Sequence, residues 1–387
     1  MSTIRRQSII SSFFVYIGFA LGFFNTYLFT REGGFTPEQY GLIGAFLAIG
    51  SIMSSVANLG MPSYITKFFP YYQHWLSIKK NDQLTWALLI PVGGFLLVTL
   101  IGILFKESLI NKVFANSPGL VHYYYWIFPF GFGMTIFYVM EAYAWQHRKA
   151  ILSNFLKEVL FRVFVTALII LTFAGLINDF DVFIKLFSFS YLLLALVTIG
   201  HFIKIKKLSL TVSVSNVTKK FFKKITALVG FVWGGTLIFN LANVFDTIVL
   251  AAVLPNGLAI AGIYTLAQNI GSLIQAPQRG VVSASVGALS LAWKEKDYQK
   301  INKIYHRSSI NLLIFSCAMF CLIWLNFEDG VYTFNLKPIY LEAKYVFLLI
   351  GLTRIIDLGT GVNAQIIATS TFWRFEFATG VVLLALA

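Results

Sequence analysis

The sequence predicts an all-α integral membrane protein that crosses the bilayer many times. Three observations predict this fold class: the composition, the succession of apolar segments, and the placement of lysine and arginine. Of 387 residues, 58% are hydrophobic and only 12% are charged, and the mean hydropathy is +0.76. A soluble domain carries roughly 25% charged residues, which it needs to cover its surface. Lipid must therefore replace water over most of the outside of this protein.

Apolar segments of membrane-spanning length follow one another along the chain. A helix needs about 20 mostly apolar residues to cross the hydrocarbon core. The first segment has no small-residue cleavage site after it and is longer than the apolar region of a secretion signal, so we expect it to be retained. The last segment is cut off by the end of the sequence, so we expect the natural chain to continue. The predicted spans are 9–29, 39–59, 85–105, 120–142, 159–177, 181–202, 227–252, 258–278, 309–326, 343–365 and one that starts at 375.

The lysines and arginines predict the orientation of these spans. With the N-terminus inside, the inner loops carry 21 of these residues and the outer loops carry 4. Cytoplasmic loops of membrane proteins show this excess of positive charge, so we expect a cytoplasmic N-terminus. The net charge of +14 then mainly fixes the orientation of the protein in the membrane, and it attracts anionic lipid headgroups. It does not indicate nucleic-acid binding.

The chain also shows an internal repeat. The segment Gly41–Ser51 resembles Gly262–Ser272 at a constant offset of 221 positions. Each copy is the second span of a six-span unit, and an even number of spans makes both units enter from the same side, as in transporters built from parallel repeats. The repeat predicts two pseudo-symmetric six-helix bundles. Their bounds are 1–203 for the N-terminal bundle, 204–226 for a basic cytoplasmic linker, and 227–387 for an incomplete C-terminal bundle of about five spans.

Ionisable groups near the middle of the membrane are costly and are candidates for function. Arg354 and Asp357 lie near the middle of span 343–365 and share one helical face. They either neutralise each other and pin the helix, or line a polar cavity. Asn243 and Asp246 share a face of span 227–252. Asp246 has three open roles: contact with a coupling cation, contact with a sugar hydroxyl, or neutralisation of a buried arginine.

Charged groups also stand near the ends of the spans. Glu158 and Arg162 form an i,i+4 pair at the start of span 159–177. Snorkelling towards the headgroups explains both side chains, and Arg162 also qualifies as a cationic group near a cavity entrance. Glu141 closes the fourth span, and we expect it to be interfacial.

Polar residues cluster in and just beyond the eighth span. They are Gln268, Asn269, Gln275 and Arg279. Arg279 aligns with Asn58 in the repeat, near the cytoplasmic end, where it either receives a phosphate or snorkels. In the first span, Asn25 is the one strongly polar residue of the middle and outer part. Gln268, Arg279 and Asn25 are therefore candidate cavity residues.

Motifs of enzymatic chemistry are missing from the sequence. It contains no Walker A loop, no dinucleotide-binding glycine motif and no His-Glu-x-x-His zinc motif. The function predicted is transport, without a catalytic residue, a metal site or a cofactor. Coupling to protons or sodium ions is a hypothesis, with Asp246 or Asp357 as the candidate site.

Short motifs in both halves carry a family resemblance. The motifs are a basic start before the first span, Tyr40–Gly41, Asn58–Pro62, Lys67–Tyr72, Ala261–Ala267 and Trp293–Tyr298. With these motifs the sequence resembles, over essentially its whole length, the polysaccharide-transporter branch of the multidrug/oligosaccharidyl-lipid/polysaccharide exporter (MOP) superfamily.

This resemblance implies a flippase of the bacterial inner membrane. Such proteins are similar to the multidrug exporters in fold, with two six-helix bundles around a central cavity. They move undecaprenyl-diphosphate-linked oligosaccharides for O-antigen, capsule or exopolysaccharide synthesis. The implied partners are the lipid-linked oligosaccharide, membrane lipids and other polysaccharide-assembly proteins. Arg354 would contribute to a cationic cavity, and Arg162 and Arg279 would lie nearer its cytoplasmic entrance.

Rival functions remain open. A cation-coupled multidrug exporter of the same superfamily would favour acids in its cavity, whereas this chain has no acid in its first span and an arginine at mid-membrane. A membrane-embedded polymerase or glycosyltransferase would need a large outer loop, and the predicted outer loops are short. A scaffold for envelope assembly is the third alternative.

Overall fold

The computed structural model describes residues 3–177, 179–208 and 210–370. In this part of the chain the structure is helical, without a β-strand, so the predicted all-α class is confirmed. Three 3₁₀ turns (Ile78–Lys80, Tyr124–Trp126, Pro338–Glu342) and two π-helical turns (Leu109–Val113, Phe155–Leu160) connect or extend the α-helices. The α-helices are α1 Thr3–Thr30, α2 Pro37–Asn58, α3 Met61–Trp75, α4 Gln83–Leu104, α5 Lys106–Ser108, α6 Pro118–His122, α7 Ile127–Gln146, α8 Ala150–Asn154, α9 Phe161–Phe173, α10 Phe180–Ser188, α11 Ser190–Lys204, α12 Asn216–Val253, α13 Gly257–Ile274, α14 Ala276–Glu295, α15 Tyr298–Leu325, α16 Phe327–Thr333, α17 Ala343–Gly359 and α18 Asn363–Thr369.

Helix α4 shows why these segments are stable only in a bilayer. Its large aliphatic side chains point outward, and Leu97, Leu100 and Leu104 are 60%, 52% and 69% exposed. Its opposite side buries Ala87 and Phe95. A helix satisfies its own backbone hydrogen bonds, which is the condition for crossing lipid. The exposed leucines therefore form a lipid-facing surface.

Eight helical segments of the described chain are long and apolar enough to cross a membrane. The protein is thus a multi-pass membrane protein, as predicted. The predicted spans 159–177 and 343–365 coincide with the shorter helices α9 and α17, and the span from 375 falls outside the described residues. The eight segments are Phe13–Thr30, Pro37–Asn58, Ile78–Leu104, Tyr124–Gln146, Phe180–Lys204, Asn216–Val253, Gly257–Ile274 and Tyr298–Leu325.

The chain divides into two compact units, each continuous in space but only one of them continuous in sequence. Unit 1 comprises 1–41 and 259–387, and unit 2 comprises 42–258. The first span thus belongs to the same unit as the C-terminal helices. The predicted bounds 1–203, 204–226 and 227–387 describe an order along the chain and stay a prediction.

The repeated glycines Gly50 and Gly271 mark close helix contacts, one in each unit. A Cβ atom on Gly50 would lie 2.7 Å from the ring of Phe130 in unit 2. A Cβ atom on Gly271 would lie 2.8 Å from the side chain of Ile350 in unit 1. Both distances are below 3.0 Å, so a larger residue at either position would force the facing side chain to move.

Candidate functional site

Arg354 lies on α17 in unit 1 with its side chain half-buried. Its Nε is buried and has no hydrogen-bond partner. An arginine stays protonated under all ordinary conditions and has five N–H donors to satisfy. Among the ion pairs of the described residues, none includes Arg354. The guanidinium of Arg354 therefore has no carboxylate partner among the described residues.

Asp357, three residues further along α17, is exposed and does not pair with Arg354. Its Oδ2 accepts hydrogen bonds from the side-chain amides of Gln275 (3.2 Å) and Gln278 (3.4 Å). These two glutamines stand at the junction of α13 and α14. The i,i+3 spacing would allow Asp357 to pair with Arg354, but its carboxylate accepts hydrogen bonds from the two glutamine amides instead.

Arg162 in unit 2 has the partner that the sequence predicts. Its guanidinium lies 3.0 Å from the Glu158 carboxylate and 3.3 Å from the Glu158 carbonyl oxygen. Glu158 belongs to the π-helical turn that leads into α9. Such turns are rare and often occur at functional sites. The pair is partly buried, so snorkelling into the headgroups does not fully describe it.

A second ion pair in unit 2 was not predicted from the sequence. The carboxylate of Glu141 on α7 is buried, and Lys157 Nζ lies 3.6 Å from its Oε2. Lys157 also lies over the ring of Tyr138, 5.2 Å from its centroid. The two charged residues are 16 positions apart, so no local spacing rule links them. The one available signal was an acid at the end of an otherwise apolar span.

Helix α12 in unit 2 carries the predicted polar face. Asn243 and Asp246 are both exposed, and the Asn243 amide donates to the carbonyl oxygen of Phe239 (2.7 Å) on its own helix. One turn earlier, Asn240 donates to the carbonyl oxygen of Ser51 (2.9 Å) and to the Ser55 hydroxyl. Asn240 therefore attaches α12 to α2, whereas Asn243 and Asp246 keep an accessible polar surface.

The other candidates lie in unit 1. Asn25 on α1 is buried, Gln268 on α13 is half-buried, and the side chain of Arg279 is outside the described residues. The neighbouring Asn269 makes the better-defined contacts. Its amide donates to the Tyr40 hydroxyl (2.7 Å) and to the Thr26 hydroxyl (3.2 Å). The sequence named this polar stretch but not its partners.

A cavity of about 470 Å³ in unit 1 lies away from these candidates. Helices α1, α13, α15 and α16 line it mainly with apolar side chains, and none of the described candidates belongs to its lining. Two of the threonines in its wall, Thr26 and Thr30, donate to carbonyl oxygens of their own helix. Within the described residues, no three His, Cys, Asp or Glu side chains are arranged to hold a metal ion.

Comparison with solved structures identifies the fold. The chain resembles an inward-facing multidrug resistance transporter of the MATE family in the MOP superfamily (TM-score 0.62, 16% identity, covering 98% of this chain and 96% of that one). It also resembles the MATE multidrug transporter DinF-BH in complex with R6G (0.54, 15%, 99% and 95%). A third similar structure is the Vibrio cholerae MATE transporter VcmN in its bent form (0.53, 12%, 100% and 87%).

These likenesses establish a MATE-like fold over the full chain. No family model matches the sequence. No curated protein matches it either.

Proposed function

We propose that this protein is a flippase of the bacterial inner membrane, with its N-terminus in the cytoplasm. Its substrate is an undecaprenyl-diphosphate-linked oligosaccharide repeat unit, which it translocates by alternating access for O-antigen, capsule or exopolysaccharide synthesis. It acts without an enzymatic step of its own. Other polysaccharide-assembly proteins would supply and consume the substrate.

The observation that carries this proposal is the uncompensated charge of Arg354. A central arginine costs roughly 2.5–3.5 kcal/mol on insertion scales and more in simulations. A protein that only needed a stable helix would gain by pairing this group or replacing it. Asp357 accepts hydrogen bonds from Gln275 and Gln278 instead, so no carboxylate of the described residues pairs with Arg354 and a ligand can supply the counter-charge. A diphosphate supplies that charge.

The substrate headgroup sets the physical problem. Each phosphate charge loses several kcal/mol of solvation when it enters hydrocarbon without a partner. A guanidinium forms paired, charge-assisted hydrogen bonds with phosphate oxygens, so Arg354 replaces part of the lost hydration. The exposed amide and carboxylate of Asn243 and Asp246 on α12 offer contacts suited to sugar hydroxyls. The prenyl chain needs no such help and stays in lipid.

Energy coupling is a separate part of the proposal. Asp246 and Asp357 are both exposed carboxylates on helices of the transport fold. Either can bind a proton or a sodium ion and so bias the cycle. Translocation measured after separate collapse of the proton and sodium gradients tests this, and unchanged rates in both cases would exclude ion coupling.

A reconstituted system tests the flippase function. Vesicles containing the full chain and a fluorescent undecaprenyl-diphosphate oligosaccharide are treated with an impermeant quencher, and the rate of exposure is measured. We expect Arg354→Ala to abolish translocation and Arg354→Lys to retain part of it, since a lysine keeps the charge but not the paired hydrogen bonds. Full activity of the alanine variant would contradict the role of Arg354.

The matched control is Arg307→Ala. Arg307 is an exposed arginine near the start of α15 in the same unit, so the substitution removes the same side chain away from mid-membrane. We expect translocation to stay within about twofold of the wild type, the small effect typical of exposed surface sites. Equal loss in both variants would indicate a general requirement for positive charge.

A cation-coupled multidrug exporter is the second candidate function. It is favoured by the similar structures, which are multidrug transporters, and by the exposed Asp246 on α12. A cationic dye in the same vesicles separates the two functions. Dye transport that needs Asp246 but not Arg354, together with no oligosaccharide translocation, would establish the exporter in place of the flippase.

A further inference from the structure

Aromatic rings and lysines meet at one end of unit 2. On α3, Lys67, Tyr71 and Trp75 follow one another at four-residue intervals and form one exposed stripe. On α12, Phe221 packs against this stripe, with its ring centroid 5.0 Å from Tyr71 and 5.9 Å from Trp75, nearly parallel to the latter. Two helices from different parts of the sequence thus build one continuous ring surface.

Lysines lie directly over these rings. Lys220 Nζ is 4.9 Å from the centroid of Trp75 and 5.8 Å from that of Phe221. Lys224 Nζ is 5.9 Å from the centroid of Phe221. Such cation–π contacts restrict where the ammonium groups point. We call this set, Tyr71, Trp75, Phe221, Lys220 and Lys224, the aromatic–lysine patch.

The patch is held in place by a buried hydrogen-bond network. Asp82 is fully buried, and its carboxylate accepts from the backbone N–H of Ser215 (2.9 Å) and from the Thr218 hydroxyl (2.7 Å). The Thr218 hydroxyl also shares a hydrogen bond of 2.6 Å with the hydroxyl of Tyr72 on α3. The first turn of α12 is therefore fixed against α3, and the lysines on it are preorganised.

The positive charge of this region is not neutralised by ion pairs within the described residues. Seven exposed lysines surround or belong to the patch, and none takes part in an ion pair among the described residues. The acid in this network, Asp82, is already engaged by Ser215, Thr218 and Trp86. The seven are Lys67, Lys79, Lys80, Lys219, Lys220, Lys223 and Lys224.

The position along the helices places this charge at a membrane surface. Helix α3 stands between the membrane-spanning segments 37–58 and 78–104. Helix α12 has 38 residues, about 57 Å at 1.5 Å per residue, whereas the hydrocarbon core is about 30 Å thick. Its basic first turns must extend into the headgroup layer. Tyr71 and Trp75, 42% and 48% exposed, are residue types that prefer this layer.

We propose that the aromatic–lysine patch is a binding site for the headgroup of an anionic phospholipid. The rings lie at the boundary between headgroups and acyl chains, and Lys220 and Lys224 bind the phosphate from above them. The remaining lysines attract further anionic lipid to this face. The site belongs to unit 2 alone and does not depend on what the protein transports.

Lipid titration of the purified full chain tests the site. A short-chain phosphatidylglycerol is titrated in neutral detergent, with phosphatidylcholine of equal chain length as reference. We expect phosphatidylglycerol to bind on the order of tenfold more tightly, a preference that falls as salt is raised from about 0.05 to 0.5 M. Equal affinity for the two lipids would overturn the proposal.

Matched double substitutions separate this site from general positive charge. Lys220→Gln with Lys224→Gln should remove most of the preference, on the order of tenfold. Lys300→Gln with Lys303→Gln removes the same charge from α15 in unit 1 and should leave the preference intact. Equal loss in the two double variants would overturn a specific site. Lys220→Arg with Lys224→Arg keeps the charge and ring contacts and should bind as the wild type does; lost preference in this variant, if folded, also contradicts the proposal.

Two further arms test the rings and the lipid. Trp75→Leu with Phe221→Leu keeps every lysine and should weaken the preference about threefold, because the ammonium groups lose their fixed orientation. An unchanged preference would contradict a built site. Inorganic phosphate at the same concentration should not displace the lipid. Complete displacement would show that the patch binds free phosphate and would exclude the phospholipid.

Discussion

Two partly buried arginines, one in each unit, differ in how their positive charge is neutralised. Arg162 in unit 2 has a carboxylate at 3.0 Å, one helical turn away on its own chain. Arg354 in unit 1 has a carboxylate three residues away, but Asp357 accepts from Gln275 and Gln278 instead. The guanidinium of Arg354 keeps a buried Nε without a partner. The first arginine has a carboxylate partner one turn away, and no carboxylate of the described residues pairs with the second.

This difference shows that helical spacing allows an ion pair but does not determine whether the pair forms. Residues at i,i+3 and i,i+4 are neighbours on a helix surface, but an isolated pair contributes only about 0.2–0.5 kcal/mol. Two amide donors from another segment compete easily with so small a term. Glu158 has its i,i+4 arginine on the same continuous helical segment, whereas Asp357 meets the junction of α13 and α14. Tertiary contacts therefore decide which of two equally plausible pairs forms.

The largest expected effect is on transport and separates the two arginines. Arg354→Ala should reduce oligosaccharide translocation at least about hundredfold, which corresponds to about 2.7 kcal/mol of lost stabilisation of the headgroup in transit. Arg162→Ala should reduce it less than about tenfold, because its charge is already matched by Glu158. Initial rates in vesicles with equal protein incorporation measure both. Equal losses would remove the distinction on which the comparison rests.

The second effect is on stability, where Arg162→Ala should cost more than Arg354→Ala, the reverse of their order for transport. Arg162→Ala leaves the Glu158 carboxylate without its cation, and we expect a loss of about 2 kcal/mol. A fully buried pair would lose roughly 3–5 kcal/mol, but these side chains are 25% and 14% exposed. Arg354→Ala should leave the stability unchanged or raise it, since it removes an unmatched charge. Thermal unfolding in one detergent compares the two, and Glu158→Gln combined with Arg162→Ala should cost less than Arg162→Ala alone.

A third change should give Arg354 a carboxylate partner on its own helix, as Arg162 has. Gln275→Leu with Gln278→Leu removes the amides that hold Asp357 and allows it to pair with Arg354. We expect translocation to fall about tenfold, because the guanidinium would then be neutralised by its own helix. Adding Asp357→Asn to this double variant removes the competing carboxylate and should restore most of the rate. Failure of Asp357→Asn to restore it would show that the glutamines act in another way.

The fold could be predicted from the sequence because its causes are local and repeated. Apolar segments of about 20 residues must be helical in lipid, and α2 and α13 repeat the Gly-Ser pattern that begins at Gly50 and Gly271. Spans near the length limit were less clear, and α9 and α17 are shorter than predicted. The grouping of 1–41 with 259–387 depends on packing between distant segments, which periodicity does not encode.

The candidate site could be predicted only in part. Depth in a span identified Arg354 and Asp246, and local spacing identified the pair of Glu158 and Arg162. The pair of Glu141 and Lys157 was missed because it joins two helices. The glutamine partners of Asp357 were missed for the same reason, and its spacing had allowed a pair with Arg354 as one of two alternatives. The cost of burying a charged side chain can be estimated from its own segment. The partner that offsets this cost often lies on another segment, which the local sequence does not identify.

His147 extends the comparison to a group that can give up its charge. Its ring lies among those of Tyr143, Phe69 and Phe202, with centroids 4.5, 4.9 and 5.5 Å away, and its Nε2 is buried without a partner. Burial, and secondarily the charge of Lys207, lowers the pKa of His147 from 6.5 to about 4. An arginine in this position would have to keep its proton. A histidine becomes neutral instead, so the aromatic surroundings need no counter-charge.

This makes His147 the source of the smallest expected effect, a pH dependence of stability. The unfolded chain takes up the proton near pH 6.5 and the folded chain only near pH 4, so the contribution is complete above pH 6.5 and is lost as the pH falls towards 4. Because part of the ring is exposed, we expect about 1 kcal/mol rather than the full value of the shift. Unfolding temperatures of the wild type and His147→Phe at intervals from about pH 7.5 to 4.5 measure it. The phenylalanine variant should lose this component of the pH dependence, since it fills the aromatic cluster without titrating. Identical pH profiles would mean that His147 has the same pKa in the folded and the unfolded chain, and the rule that an unpaired buried group stays neutral when its chemistry allows would fail at this position.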